Sequence, residues 1–350
     1  MKRTFVRWFA SVPLKSLVPL ALSLVAVAWA TGTVSLSQSP FRIAGWWPGY
    51  VRGNVTCVTT FDNYAYLGMT MAGPGGCERG WRGRLEVMAV SDPARPVYVG
   101  GYDFRDPLER IQAASNQVYV VSGQTLSVLA VTNASAPVLS GRCDVGANIT
   151  SLELKGQYLY AVRGGGPSGL NVIDVSNPAQ PVVVGSISEG GNGDFSGVRV
   201  VGNRAYVAAE GGLQVFDVST PDNPTLLAWP RGQSAYAIEV VGDYAYLTTE
   251  VDLRIMSITY STQPRLVGTD ALGAGAKALG TLGHHLYVAM GNRLEVLNIT
   301  NPTQPRRVGG YDAGGTIADL VLAGHYAFVA VGAAGLLQGF HYRYQYGDRA

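Results

Sequence analysis

Cysteine, histidine and lysine are scarce in this chain. Three cysteines (Cys57, Cys77, Cys143) and four histidines (His284, His285, His325, His341) provide no cluster with the spacing of a metal centre. Charged residues make up 14% of the 350 residues, and no basic run or stripe occurs, which removes nucleic acid as an expected partner. The nucleophile elbow G-x-S-x-G, the zinc motif H-E-x-x-H and the calcium loop D-x-[DN]-x-[DN]-G are all missing. Gly190-Gly191-Asn192-Gly193-Asp194 occurs once, and its aspartate is one place early for a calcium repeat. No catalytic set, metal or cofactor is expected on these grounds. His284 and His325 fall at corresponding turn positions. They could hold a transition metal across neighbouring units, but polar turn-filling is the simpler reading.

The one long apolar run, Leu17 to Trp29, is short for a membrane span of about 20 residues. It follows Lys2, Arg3, Arg7 and Lys15 and ends in Ala28-Trp29-Ala30, with no acidic residue over 1–30. A basic segment, an apolar segment and an A-x-A exit describe a secretory signal peptide; a retained N-terminal anchor is the alternative. Without that segment, 22 basic residues face 24 acidic ones, so the apparent basicity belongs to the address. The expected organisation is a targeting segment over 1–30, one domain over 31–346 and a tail over 347–350. The location is secreted, periplasmic or at the cell surface.

Glycine, by contrast, is abundant: 45 residues, nearly double the average usage of roughly 7%. It punctuates a repeat. The clearest copy runs from Ile149 to Ser186, ITSLELKGQYLYAVRGGGPSGLNVIDVSNPAQPVVVGS. An aromatic landmark recurs at Tyr66, Tyr119, Tyr160, Tyr206, Tyr246, Tyr287 and Phe328, and a turn proline at Pro96, Pro137, Pro181, Pro224, Pro264 and Pro305. Each unit holds four short β-branched and aromatic runs separated by turn signals, which read as strands. Periods near 40 with four strands each point to propeller blades.

Six complete units are followed by LVLAGHYAFVAVGAAGLLQGFHY, which supplies three more strands. The missing fourth matches Pro40-Phe41-Arg42-Ile43-Ala44-Gly45-Trp46, near the start of the exported chain. The expected fold is therefore all-β: a seven-bladed β-propeller of four-stranded blades, the last closed by the N-terminal strand, which leaves no open sheet edge. The runs Leu170-Asn171-Val172-Ile173-Asp174-Val175-Ser176-Asn177-Pro178 and Leu213-Gln214-Val215-Phe216-Asp217-Val218-Ser219 resemble the LVIVD-repeat family of prokaryotic cell-surface propellers. The resemblance implies a surface β-propeller and no catalytic mechanism. The motif aspartate is replaced by Ala89, Ala130, Ser257 or Asn298 in other copies, so Asp174 and Asp217 read as turn-forming hydrogen-bond acceptors.

In such a ring one end carries short, uniform turns. The other carries loops of variable length, where binding residues accumulate on a rigid scaffold. That end should present Trp46, Trp47, Trp81, Arg82, Arg105, Trp229, Arg231, Tyr236 and Tyr311. Aromatic faces and guanidinium forks suit recognition of a protein or polysaccharide. Cys57 and Cys77 fall in one unit and are the natural pair for a disulfide tethering the longest loop; otherwise all three cysteines are small buried residues. The expected function is a non-catalytic binding or scaffold module. The alternative is an exported enzyme, lactonase-like, or an accessory subunit of a redox enzyme, with its site at the channel mouth.

Overall fold

The computed structural model describes residues 41–46, 53–72, 81–146, 148–165, 168–188, 194–272, 276–332 and 336–342, all within one compact unit, Pro40–Ala350. The segments read as signal peptide (1–30) and tail (347–350), together with Trp47 and Cys77, lie outside the described residues. Strand β1 is Phe41–Trp46. Sheet I contains β2 (Asn54–Phe61), β3 (Tyr64–Ala72), β4 (Trp81–Ala89) and β5 (Val97–Phe104). Sheet II contains β6 (Leu108–Ala114), β7 (Gln117–Ser122), β8 (Thr125–Ala130) and β9 (Val138–Asp144). Sheet III follows with β10 (Ile149–Lys155), β11 (Tyr158–Arg163), β12 (Gly169–Asp174) and β13 (Val182–Ser188). Sheet IV has β14 (Phe195–Val201), β15 (Arg204–Ala209), β16 (Gly212–Asp217) and β17 (Thr225–Ala228). Sheet V has β18 (Ala237–Val241), β19 (Tyr244–Thr248), β20 (Leu253–Ser257) and β21 (Arg265–Asp270). Sheet VI has β22 (Ala276–Leu282), β23 (His285–Met290), β24 (Arg293–Asn298) and β25 (Arg306–Asp312). Last come β26 (Ile317–Ala323), β27 (Tyr326–Val331) and β28 (Leu336–Tyr342).

Sheets I to VI are antiparallel meanders of four consecutive strands, so the molecule is an all-β propeller with six blades of this form. The remaining sheet has the order β1-β28-β27-β26, with Phe41 opposite Tyr342 and Gly45 opposite Gly339. The first strands of successive sheets pack on one another, and β2 touches both β6 and β26.

The local signals explain the hairpins. Two-residue turns between first and second strands place a glycine at positive φ, as at Gly156 and Gly202, where a Cβ would be strained. Between the third and fourth strands the motif acids do what short acceptors do. Asp174 Oδ1 accepts from Ser176 N at 2.8 Å and Asp217 Oδ1 from Ser219 N at 2.8 Å. These bonds hold both carboxyls below the usual carboxylate range, with the serine hydroxyls the largest contributors.

The core lies between sheets. Tyr160 and Val162 of sheet III pack with Phe195, Val198 and Phe216 of sheet IV in one buried cluster. The aromatic landmarks are therefore inter-blade packing residues. A second device closes the outer part of five junctions. A fourth-strand glycine lies so near the next sheet's turn that an added Cβ would overlap a backbone carbonyl. The pairs are Gly45 with Pro93, Gly100 with Ser135, Gly141 with Pro178, Gly185 with Pro221, and Gly268 with Thr303. Gly45 of β1 thus follows the same pattern as the fourth strands of sheets I, II, III and V.

The expected Cys57–Cys77 bridge is corrected: Cys57 is a free thiol. It is 1% exposed and packs in a cluster with Tyr66, Leu85, Leu108 and Ile111, its sulfur directed at Gly68, where only a missing side chain makes room. Burial pushes this thiol up to about 12, so it is an inert apolar filler. Cys143 is also free and half-buried.

Candidate functional site

Strand pairing gathers the candidate binding residues at one end of the molecule. Trp81 opens β4 opposite Ala72, Arg105 follows the last residue of β5, and Trp229 follows the last residue of β17. All are at the end of second-to-third-strand loops and sheet-to-sheet crossings, and so is Trp46 by its pairing with Gln338. Trp81 is 49% exposed and Tyr236 44%, and Arg82, Arg105 and Arg231 are exposed. Tyr311 differs: it is half-buried and packs on the cluster between sheet VI and β26–β27. Trp229 and Arg231 touch, the guanidinium carbon 3.5 Å from the ring centroid. Trp81, Arg82 and Arg105 belong to sheet I, and Tyr236 stands at the mouth of the central channel.

The Trp229–Arg231 pair is built rigidly. Gly211 and Gly212 form a hairpin at positive φ, and the indole Nε1–H donates to Gly211 O at 3.3 Å. Gly232 N donates to the same carbonyl at 2.8 Å, and Arg231 bridges back to Gly212. Pro230, lacking an N–H, cannot prolong β17 as a ladder strand. That strand stops after four residues, where β13 has seven.

The channel is a second candidate. It is a cavity of about 350 Å³ lined by the first strands of the sheets, and three of its charges come from a column the sequence reading missed. Glu153, Arg199 and Glu239 stand opposite Tyr160, Tyr206 and Tyr246, so each lies seven residues before the aromatic landmark. That offset is the signal by which they could have been found. Arg199 Nε donates to Glu239 Oε2 at 2.9 Å, and its Nη1 lies 3.7 Å from Glu153 Oε2. Thr281 Oγ1 donates to Glu239 Oε1 at 3.1 Å. Burial works against the Arg199 charge, yet Glu239 and Glu153 hold the guanidinium above its ordinary value. Burial raises the Glu153 carboxyl, with Arg199 opposing.

Asp319, on β26, accepts from Val58 N of sheet I at 3.0 Å and from Leu320 N at 2.9 Å. Burial raises its carboxyl despite those donors and despite Arg110. Arg110 in turn donates to Thr150 O of sheet III and, at 2.6 Å, to Glu109 O. These groups answer one another or the backbone of a neighbouring sheet, so their chemistry is that of inter-sheet clamps. Among the described residues no group of three or more His, Cys, Asp or Glu side chains is gathered as a metal site.

Fold and surface together define a β-propeller that carries its variation in the loops of one end. The LVIVD repeat model matches residues 109–145, 148–188, 192–228, 232–269, 275–313 and 314–337, and the chain belongs to the LVIVD-repeat family. No curated protein matches it by sequence. Among solved structures it is similar to the WD40 β-propeller domain of Doa1, at 10% identity and TM-score 0.66, covering 87% of this chain and 98% of that one. BamB from Moraxella catarrhalis is similar at 15% identity and TM-score 0.57, covering 83% and 84%. The computationally designed Ika8 protein is similar at 12% identity and TM-score 0.60, covering 86% and 100%. At such identities the likeness is one of fold.

Proposed function

We propose that this chain is an exported, non-catalytic binding module that presents its variable-loop end to a protein or polysaccharide partner outside the cytoplasm. The ring has seven blades, the last completed by β1. The register of β1 on β28 and the close approach of Gly45 to Pro93 support that count. The single observation that carries the functional reading is the contrast between the two ends. At one, side chains such as Asp174 and Asp217 are spent on turning the backbone. At the other, Trp81, Arg82, Arg105, Arg231 and Tyr236 face solvent, the residue types that dominate recognition surfaces. A catalytic use of the channel is disfavoured because Arg199, Glu239 and Asp319 are held by partners from neighbouring sheets.

The test is co-sedimentation of the full chain with purified envelope polysaccharide and, separately, chemical cross-linking to purified envelope proteins. Binding should fall at least tenfold in a Trp81→Ala/Arg82→Ala/Arg105→Ala variant. It should be unchanged in Gln180→Ala/Gln304→Ala, which alters exposed side chains of the opposite end. Equal binding by both variants would overturn the reading. Export is checked by N-terminal sequencing of the protein recovered outside the cytoplasm, with Thr31 as the expected first residue.

A further inference from the structure

The junction between sheets IV and V departs from the pattern of its neighbours. Where five other junctions place a fourth-strand glycine against the next turn, sheet IV has Ala228, opposite Val215. Its short fourth strand then turns away as Trp229-Pro230-Arg231. Between that loop and sheet V lies a cavity of about 230 Å³. That is below the roughly 300–1,000 Å³ of pockets for drug-sized ligands, and suits one amino-acid-sized group.

The lining of the cavity is of two kinds. Leu213, Leu247 and Met256 are buried and form an apolar floor, and Leu266 continues it to the surface. Arg231 and Arg254 supply the charge. Arg231 is stacked on Trp229, and Trp229 is pinned to Gly211, so little freedom remains to be lost when a ligand arrives. Arg254 points its Nε at Asp252, 3.4 Å away, and an ideal Cβ on Gly232 would lie 3.5 Å from its Nη1. The second guanidinium therefore lies against the loop that carries the first. Asp252 is itself engaged by the Thr249 hydroxyl. Two guanidiniums against one carboxylate leave the cavity net positive, with planar forks matched to a carboxylate.

We propose that this inter-sheet cavity binds the C-terminal carboxylate of a peptide chain whose last residue is hydrophobic. The carboxylate sits between Arg231 and Arg254, and the terminal side chain lies on Leu213, Leu247 and Met256. The apolar floor selects against inorganic phosphate and sugar acids, which would leave it uncovered. The volume selects against long acyl chains. The inference rests on the reading that this end of the molecule is a recognition surface, and names the chemistry of one partner.

The test is calorimetric titration of the full chain with the tripeptide acetyl-Ala-Ala-Leu, as free acid and as C-terminal amide, and with octanoate as a non-peptide apolar carboxylate. The free acid should bind, the amide at least tenfold more weakly, and octanoate more weakly than the peptide acid. Arg231→Ala and Arg254→Ala should each lower affinity at least tenfold without changing the circular dichroism spectrum, and Arg231→Lys should fall between. Equal binding of acid and amide, or no binding of either, overturns the proposal. So does octanoate binding as tightly as the peptide. The sheet I variant Trp81→Ala/Arg82→Ala/Arg105→Ala should bind the tripeptide normally. If that variant loses the envelope partner while wild-type chain ignores the tripeptide, the recognition surface stands and this inference alone falls.

Discussion

The junction between sheets III and IV and the junction between sheets IV and V are made of equivalent strands in the same order. One is shut and the other open. At the first, Gly185 lets the carbonyl of Pro221 approach within the space a Cβ would fill. At the second, Ala228 ends a four-residue strand and packs on the apolar cluster between the two sheets, and a cavity opens at the loop that follows. In a repeat scaffold each junction solves the same packing problem, so a unit that abandons the common solution marks a place where something besides stability is served.

The largest effect should come from filling the closed junction. Gly185→Val forces a backbone carbonyl to move and should cost about 3 kcal/mol, at the upper end for overpacking, read as a shift in the urea midpoint. Ala228→Val, at the open junction, should cost under about 1 kcal/mol in the same measurement. Equal losses at the two positions would erase the comparison. Gly45→Val extends it to β1: if that strand completes the last blade, its cost should match that of Gly185→Val. A variant as stable as wild type would remove β1 from the ring.

Next in size is a break in the channel. Arg199 bonds Glu239 across the IV–V junction and lies beside Glu153 of sheet III, so it ties the channel side of the open junction together. Arg199→Ala leaves two carboxylates without their shared cation. Its cost should be about 2 kcal/mol in urea, below the 3–5 kcal/mol of fully buried pairs because the channel side is partly solvated. If the loss is under about 0.5 kcal/mol, the open junction is held only by its apolar cluster.

Much of this was legible in the chain. The aromatic and proline landmarks predicted four strands per unit because each reports a local event, a core side chain or a turn. The interruption at Ala228-Trp229-Pro230 was also visible, since sheets I, II, III and V carry glycine at that position. The fate of Cys57 was not legible, because its neighbours Leu108 and Ile111 come from sheet II and no local signal reports a thiol's lateral packing. The channel charges were hidden for a related reason. Glu153, Arg199 and Glu239 share a column, but the column alternates sign, so it reads as noise until the sheets are set side by side. Asp319 is clearer still: its main partner, Val58 N, is 261 residues away.

A smaller effect should separate rigidity from charge at the open junction. Trp229→Ala removes the ring under Arg231 but leaves both arginines. Thermal stability should fall by about 1 kcal/mol, the scale of a cation–π contact plus partial burial. Affinity for the free-acid tripeptide should fall threefold to tenfold, less than in Arg231→Ala. If Trp229→Ala binds as tightly as wild type, the stack does not preorganise the guanidinium.

The smallest effect concerns Glu153, whose carboxyl is raised by burial while Arg199 opposes the shift. A raised value in the folded state means that the native protein holds this proton more tightly than the unfolded chain does. The linked stability is therefore fully present below the ordinary carboxylate value and is lost as pH rises through the folded one. Glu153→Gln carries a neutral side chain at every pH. At pH 7 it should be at least as stable as wild type, and the difference should shrink as the solution is acidified and wild-type Glu153 takes up its proton. Urea unfolding of both proteins between pH 3.5 and 7 measures this directly. A variant less stable at pH 7, with the gap closing on acidification, would mean that the Arg199–Glu153 attraction outweighs burial. The channel would then be held on both sides of Arg199 instead of mainly through Glu239, and the III–IV junction would owe part of its closure to charge as well as to Gly185.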